Sequence, residues 1–110
     1  MSPPRLQEPA FLILTSLASG PRHGYAIVED VRQLSQDRVT LRAGTLYTAL
    51  DRLAGDGLIE PDREEVVQGR LRRYYRITPT GAGRLADEVL RLRHNATVAA
   101  RRLKLGGLPA

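Results

Sequence analysis

The run from Arg42 to Glu60, RAGTLYTALDRLAGDGLIE, constrains the fold of this chain more than any other segment. It opens with small and hydroxylated residues and ends at a Gly-Asp-Gly stop, where glycine accepts the backbone angles that terminate a helix. Between these ends Leu46, Leu50 and Leu53 recur at i, i+4 and i+7. The spacing predicts a third helix over about 43–56 with these leucines on its buried face.

An arginine-dense segment, GRLRRYYRIT, follows at Gly69–Thr78. Residues 58–65 and 71–77 are predicted to form two strands, with Gln68-Gly69 as the hairpin tip. The second arm carries its arginines close together, at Arg70, Arg72, Arg73 and Arg76. The run and this segment together predict a short helix followed by a basic hairpin.

The remaining segments are helical or connecting. Two helices are predicted before the run, over 8–19 and 23–35. Leu41, in the connection that follows them, is expected to pack into the core. Thr78-Pro79 opens a last helix that reaches about Leu103, since Thr is a good N-cap and Pro suits a first turn. The predicted fold is mostly α with a small β-hairpin, in the order α-α-α-β-β-α of a winged helix-turn-helix with a long C-terminal helix.

Three regions follow from this order. Residues 1–78 are predicted to form a winged-helix DNA-binding domain, 79–105 a C-terminal dimerisation helix and 106–110 a disordered tail. The last helix carries a heptad-like apolar seam at Leu85, Val89, Leu92, Ala96, Ala99 and Leu103. A chain of 110 residues has a small core and gains much by pairing, so the seam favours a homodimer. The alternative is that this helix docks on its own domain.

The net charge of +5 favours a polyanionic partner such as nucleic acid. All but one of the basic residues are arginines, the exception being Lys104. A GC-rich coding sequence would enrich arginine as well, so the positions of the arginines matter more than their number.

Several functional classes are disfavoured by what the sequence lacks. There is no cysteine, and the two histidines, His23 and His94, are far apart without a carboxylate at ligand spacing, so no metal or cofactor is predicted. Neither a nucleophile–base constellation nor a phosphate-binding glycine loop is present, which argues against an enzyme. No apolar run is long enough to span a bilayer, and the expected location is the cytoplasm, in association with the nucleoid.

The start of the third helix has the chemistry of a base-reading surface. The small residues of Arg42-Ala43-Gly44-Thr45 allow close approach to a duplex, and Arg42 is the candidate for guanine recognition. Thr45, Tyr47 and Thr48 add hydroxyls. The alternative is that Gly44 and Thr45 only start the helix and that Tyr47 only packs.

Arginines on the hairpin suit contacts to the sugar–phosphate backbone of double-stranded DNA. Charge that protects an edge strand from aggregation is the alternative for an isolated basic hairpin. At the level of the whole protein, the alternative to a DNA-binding regulator is a winged-helix protein-interaction module that binds an acidic partner without specific DNA binding.

An ordered set of short motifs resembles the PadR-like transcriptional regulators over about residues 6–92. The motifs are His23-Gly24-Tyr25, Gly44-Thr45-Leu46-Tyr47, Ala49-Leu50, Arg52-Leu53, Gly57-Leu58-Ile59, Gly69-Arg70, Arg73-Tyr74-Tyr75, and Thr78 with Gly81. The length is similar to that of the short branch, which has a single C-terminal helix.

The resemblance implies a bacterial homodimeric repressor of a palindromic operator, released by a small molecule or another effector whose identity is unknown. It places Gly44, Thr45 and Tyr47 on the recognition helix and Arg70, Arg72 and Arg73 on the wing. His23 and Tyr25 lie at the start of the preceding helix, with Tyr25 close to the DNA backbone.

The sequence departs from the family pattern in two places. Thr48 stands where the family usually has proline. The threonine side chain adds a hydroxyl that would face DNA. The chain has no tryptophan, so the stacking of flat aromatic drugs between tryptophans, known in some short-branch members, is not expected.

Overall fold

The computed structural model describes residues 5–105, which contain four helices and three strands. In chain order these are α1 (Glu8–Ala18), β1 (Arg22–His23), α2 (Gly24–Leu34), α3 (Ala43–Gly55), β2 (Ile59–Val67), β3 (Arg70–Ile77) and α4 (Pro79–Arg102). The predicted order of helices and hairpin is confirmed, including the long C-terminal helix. The tail predicted at 106–110 lies outside the described residues.

The sheet has one more strand than the predicted hairpin. It is antiparallel in the order β1-β3-β2, with Arg22 opposite Tyr75 and His23 opposite Tyr74. A strand of two residues shows no alternation in sequence and forms only because β3 offers it a free edge. This pairing fixes the start of α2 against the base of the hairpin.

The hydrophobic core lies where α1, α2 and α3 meet the beginning of β2. The predicted stripe of Leu46, Leu50 and Leu53 is buried, and Leu41 fills the core beside it as expected. The remaining buried apolar side chains of this cluster are Leu12, Ile13, Leu14, Leu17, Ile27, Val31, Leu58 and Ile59. Burial of this stripe leaves the opposite side of α3 exposed.

The hairpin of β2 and β3, residues 59–77, extends away from this core and is called the wing below. Its tip is the predicted Gln68-Gly69 pair, with φ of 52° and 76°. Positive φ at both positions, between the paired Val67 and Arg70, is the conformation of a type I′ turn, which matches the twist of the strands. Val66 and Leu71 are exposed, so the outer part of the wing has no contact with the core.

The first turn of α4 is joined directly to the turn between α3 and β2. The Thr78 hydroxyl donates to the carbonyl oxygen of Gly57 at 2.6 Å and accepts the N–H of Gly81 at 3.0 Å. The Thr78 N–H donates to the carbonyl oxygen of Leu58, again at 3.0 Å. A Cβ on Gly81 would lie 2.0 Å from that same oxygen, so only glycine fits there.

One side of α4 packs on the domain and the other is open. Leu85 contacts the core, and Glu88 is buried in an ion pair with Arg91. Hydrogen bonding from Arg91 holds the pKa of the Glu88 carboxyl below its ordinary value, and the Leu6 N–H contributes in the same direction. The first residue of the predicted seam, Leu85, is therefore partly engaged within its own chain.

Candidate nucleic-acid interface

The N-terminus of α3 is open to solvent. Arg42 is the N-cap residue, and it and the next three residues, Ala43, Gly44 and Thr45, are exposed. The helix begins here because Arg42 has extended backbone angles and its carbonyl oxygen accepts the Leu46 N–H at 2.9 Å. Unpaired backbone N–H groups at such an end attract phosphate.

Further along α3 the exposed side carries Thr48 and Asp51, three residues apart and on neighbouring surface. Thr48 is among the predicted DNA-contacting residues, whereas Asp51, which the helical spacing also places away from the core, was given no role in binding. A carboxylate on a reading surface can accept a hydrogen bond from the amino group of cytosine.

Tyr47 leans toward α2 and is 51% exposed. A Cβ built on Gly24 would lie 3.1 Å from the Tyr47 hydroxyl oxygen and 3.3 Å from Cδ2 of Leu46. The absence of a side chain at Gly24 thus lets the Tyr47 ring lie against the start of α2. Gly24 was part of a sequence motif, but its role depends on a contact between two helices that spacing does not reveal.

His23 has a structural role in addition to its position near the surface. Its Nδ1 accepts the N–H of Ala26 at 3.3 Å, which caps α2, and its ring meets Tyr74 edge to face at 5.2 Å. Burial lowers the pKa of His23, and the positive charge of Arg72 lowers it further, against a smaller opposite effect of Glu65. Both influences favour the neutral ring that the cap requires.

The wing arginines differ in their ion pairs. Arg73 lies 3.4 Å from Glu64, and Arg76 contacts Glu60 at 2.8 Å and Asp62 at 3.1 Å. Within residues 5–105 neither Arg70 nor Arg72 has a carboxylate within ion-pair distance. The wing is therefore a charge-balanced ribbon at its base with unpaired arginines toward its tip, and not uniformly basic as the β3 sequence suggests.

The antiparallel register places acidic residues of β2 opposite the arginines, but a position opposite is not enough for an ion pair. Glu65 lies opposite Arg72 and contacts Arg63 and the Tyr74 hydroxyl instead. Glu64 pairs with Arg73 and Glu65 with Arg72 in the ladder, and Glu60 with Arg76. Exposed ion pairs of this kind contribute little stability, so Arg73 can exchange its carboxylate for a phosphate.

Six of the predicted DNA-contacting residues line one groove of about 420 Å³ between α2, α3 and the wing, called the wing groove below. They are His23, Tyr25, Tyr47, Arg70, Arg72 and Arg73. Tyr25 is 72% exposed at the rim of this groove. The structure thus brings residues from three separate sequence motifs onto one surface.

Three other predicted residues, Gly44, Thr45 and Thr48, line a different and larger cavity that no residue of the wing borders. Arg42 and Ala43 are exposed at the N-terminal end of the helix and line neither of these two pockets. α3 therefore presents one continuous exposed side, bounded by the wing groove on one flank and by this cavity on the other.

Tyr75 connects the base of the wing to α3. It packs against the core, and burial raises the pKa of its hydroxyl. The proximity of Tyr47 and the charge of Asp51 raise that pKa further, whereas Arg73 lowers it. Tyr75, at the base of the wing, thus lies near Tyr47 and Asp51 of α3.

No helix among residues 5–105 combines the length and the apolar character that crossing a bilayer requires.

Comparison with known proteins identifies the family. Residues 13–87 match the model of the transcriptional regulator PadR-like family. The chain is 38% identical over 76 residues to the transcriptional regulator Rv3488 of Mycobacterium tuberculosis, covering 69% of this chain and 67% of that protein. It is also 40% identical over 84 residues to a 37.1 kDa protein of a Streptomyces fradiae transposon, of which it spans only 23%.

Solved structures share the fold. A PadR family transcription regulator from Clostridium difficile superposes with a TM-score of 0.75 at 27% identity, over 88% of this chain and 99% of that one. Bacillus subtilis PadR in complex with operator DNA gives a TM-score of 0.67 at 21% identity, over 76% of this chain and 47% of that one. Members of this family are transcription regulators and not enzymes. With a family match over most of its length and the winged-helix architecture in place, the chain belongs to the PadR-like family of transcriptional regulators.

Proposed function

We propose that this chain is a homodimeric repressor that binds a palindromic operator in double-stranded DNA and is released by a small-molecule effector. The observation that carries the proposal is the convergence of Tyr25, Tyr47 and the unpaired wing arginines on the wing groove, beside the open side of α3. Family membership and the DNA-bound structure of Bacillus subtilis PadR support the same assignment.

In the proposed complex, α3 lies in the major groove and the wing follows the adjacent backbone. The small residues Gly44 and Thr45 admit close approach, and Arg42 and Thr48 reach base edges. Arg70 and Arg72 neutralise phosphates, because they are the wing arginines without an ion pair among the described residues.

The proposed dimer uses the open side of α4. An apolar groove runs along this helix beside the C-terminal end of β3, lined by Ala18, Ile77, Ala82, Leu85, Ala86, Val89 and Leu90. Of the predicted seam, Leu92 is 43% exposed and Leu103 is 68% exposed in the single chain. Apolar side chains in such a row typically mark an interface between proteins. Pairing of two such helices would give the DNA-binding surface the two-fold symmetry of a palindrome.

Selection of bound fragments from a random pool of duplexes tests the proposal. We expect a two-fold symmetric motif, with about a thousandfold or greater preference over random DNA. Light scattering of the free protein is expected to give twice the mass of the chain. If no duplex is retained at low salt while an acidic protein is captured in a stable complex, the chain is an interaction module and the DNA-binding proposal is wrong.

A further inference from the structure

The side of α3 that points directly away from the core is a narrow strip of small residues. With about 3.6 residues per turn, four residues of α3 lie within about 50° of the point opposite the buried leucines. These four, called the outer strip below, are all exposed and are Gly44, Thr48, Asp51 and Gly55. Their small size lets a duplex come close to the helix, and Asp51 is the one charged residue among them.

Asp51 has none of the partners that usually explain a carboxylate within a helix. No basic residue stands three or four positions away on either side, where helical ion pairs form. Those positions hold Tyr47, Thr48, Ala54 and Gly55. Within residues 5–105 Asp51 also takes part in no ion pair. It caps neither end of α3, and aspartate is a poor helix former, so the stability of the fold does not explain it.

The charge of Asp51 is opposite to that of the surface around it. Arg42 is exposed at the start of the same helix, and Arg70 and Arg72 have no ion pair among the described residues. A carboxylate on such a surface repels phosphates and weakens binding to DNA of every sequence. It improves discrimination, which is a difference between two affinities, if one base offers it a contact that the other bases lack.

Cytosine is the base whose major-groove edge suits a carboxylate best. It presents the N4 amino group, which donates a hydrogen bond, and no acceptor. Adenine has its N7 acceptor beside the N6 amino group, and the polar groups of guanine and thymine in this groove are acceptors. An ionised carboxylate accepts hydrogen bonds and donates none, so an acceptor on the base edge repels it.

From these observations we infer that Asp51 is a specificity-determining residue that reads one cytosine in each half-site, by accepting a hydrogen bond from its N4 amino group. The inference deepens the proposed function and rests on it, because it requires that α3 lies in the major groove. The small residues of the outer strip bring the helix close enough to the duplex for the short aspartate side chain to reach a base edge. Arg42 and Thr48 read other positions of the operator.

The operator selected from the random pool gives the first test. We expect a cytosine at one position of each half-site, and Asp51→Asn should replace it by adenine, because an amide matches the N6 and N7 groups of adenine. Asp56→Asn is the matched control, since it removes the same charge from the exposed C-cap of the same helix, outside the outer strip. This control should keep the cytosine. Both variants lose a negative charge, so the base preference is the measurement that separates them.

A modified operator tests the contact itself. In it, that cytosine is replaced by the pyrimidinone that lacks the N4 amino group. The replacement should weaken binding of the wild type at least about fivefold more than binding of Asp51→Ala, because only the wild type has this contact to lose. Thermal unfolding of Asp51→Ala should occur at or above the temperature of the wild type, since alanine is the better helix former.

A cytosine preference that survives in both Asp51 variants would overturn the inference, as would equal sensitivity of wild type and Asp51→Ala to loss of the amino group. The same change of base preference in Asp51→Asn and Asp56→Asn would contradict it too, because general charge would then explain both. If a two-fold symmetric operator is selected but none of its positions responds to Asp51, the proposed function stands and this inference is wrong. If no duplex can be selected, the proposed function fails, and the inference fails with it.

Discussion

Two glycines have roles that can be stated at the level of single atoms. At Gly24 the absent side chain leaves room for the Tyr47 ring, and the atoms nearest a new Cβ belong to side chains that can shift. At Gly81 the nearest atom is the backbone carbonyl oxygen of Leu58, which cannot shift without moving β2. A side chain at position 24 would therefore change the position of the Tyr47 ring on the protein surface, whereas a side chain at position 81 would lower the stability of the fold.

Substitution of Gly81 by alanine is expected to lower the free energy of unfolding by about 3 kcal/mol, because its Cβ would overlap a backbone atom. Gly83, two residues later in the same helix, has open space at its Cβ position, so Gly83→Ala should stabilise by about 0.5–1 kcal/mol. Urea denaturation of both variants measures the two values. Effects of the same sign would show that α4 does not approach β2 as described.

At the scale of the element, the charges of the wing are balanced by ion pairs near the core, whereas its outer part is cationic. Ion pairs of Arg76 with Glu60 and Asp62 occupy the part nearest the core, while Arg70 and Arg72 lie further out. A hairpin of this kind can approach DNA without the repulsion among its own arginines that a uniformly basic ribbon would have. The chemistry of the wing therefore depends on β2 as much as on β3.

The substitution Arg72→Ala should weaken binding to every duplex and reduce the salt slope of the binding constant by about one, because one phosphate contact is lost. Arg76→Ala is the matched control, since it also removes a β3 arginine but one that is engaged with carboxylates. Its salt slope is expected to equal that of the wild type. The measurement is a titration of duplex affinity against salt. If Arg72→Ala keeps the salt slope of the wild type, as Arg76→Ala is expected to do, Arg72 does not contact a phosphate and the wing assignment is wrong.

Sequence periodicity was sufficient for α3 and its leucine stripe because helical burial repeats locally along the chain. Local patterns also located the wing and its Gln68-Gly69 turn. They did not reveal β1, whose two residues form a strand only through pairing with β3. They also missed the neutralising carboxylates of β2, because the pairing of Glu64 with Arg73 depends on a register that includes a bulge after Pro61.

The residues of the candidate nucleic-acid interface divide in the same way, into those that a local pattern predicts and those that depend on tertiary contacts. Residues within one motif, such as Gly44, Thr45 and Thr48, were predicted from their chemistry and lie together in the structure. The contribution of Gly24 comes from a contact with Tyr47 on another helix, and no local pattern contains it.

At the scale of the whole molecule, α4 joins the two parts of the proposed regulator. Its first turns are held by the turn between α3 and β2, and further along Glu88 is anchored by Arg91 and the N-terminal segment. Beyond these anchors Ala96 and Ala99 of the predicted seam are exposed, as is Leu103. In the proposed dimer this open face would hold a second copy at a fixed orientation to the proposed DNA-binding surface.

A carboxylate in the middle of this face should disrupt the dimer. Ala96→Glu would bury an unpaired charge in each of two symmetric positions, and the dimer is expected to weaken by at least about a hundredfold. His94→Glu introduces the same side chain on the opposite, exposed side of α4 and should leave the mass unchanged. Light scattering at micromolar concentration distinguishes the two variants, and a dimer that survives Ala96→Glu would exclude the seam as the interface.

The junction of Thr78 and Gly81 with the turn at Gly57-Leu58 has a consequence for the DNA sequence itself. Because hydrogen bonds and a close backbone contact hold this junction, α4 has a fixed orientation to α3. In the proposed dimer the two recognition helices would therefore lie at one fixed distance. Each base pair added between two half-sites would turn one of them by about 35° around the duplex. The operators of such a protein would share a single spacer length, even where the bases of their half-sites differ.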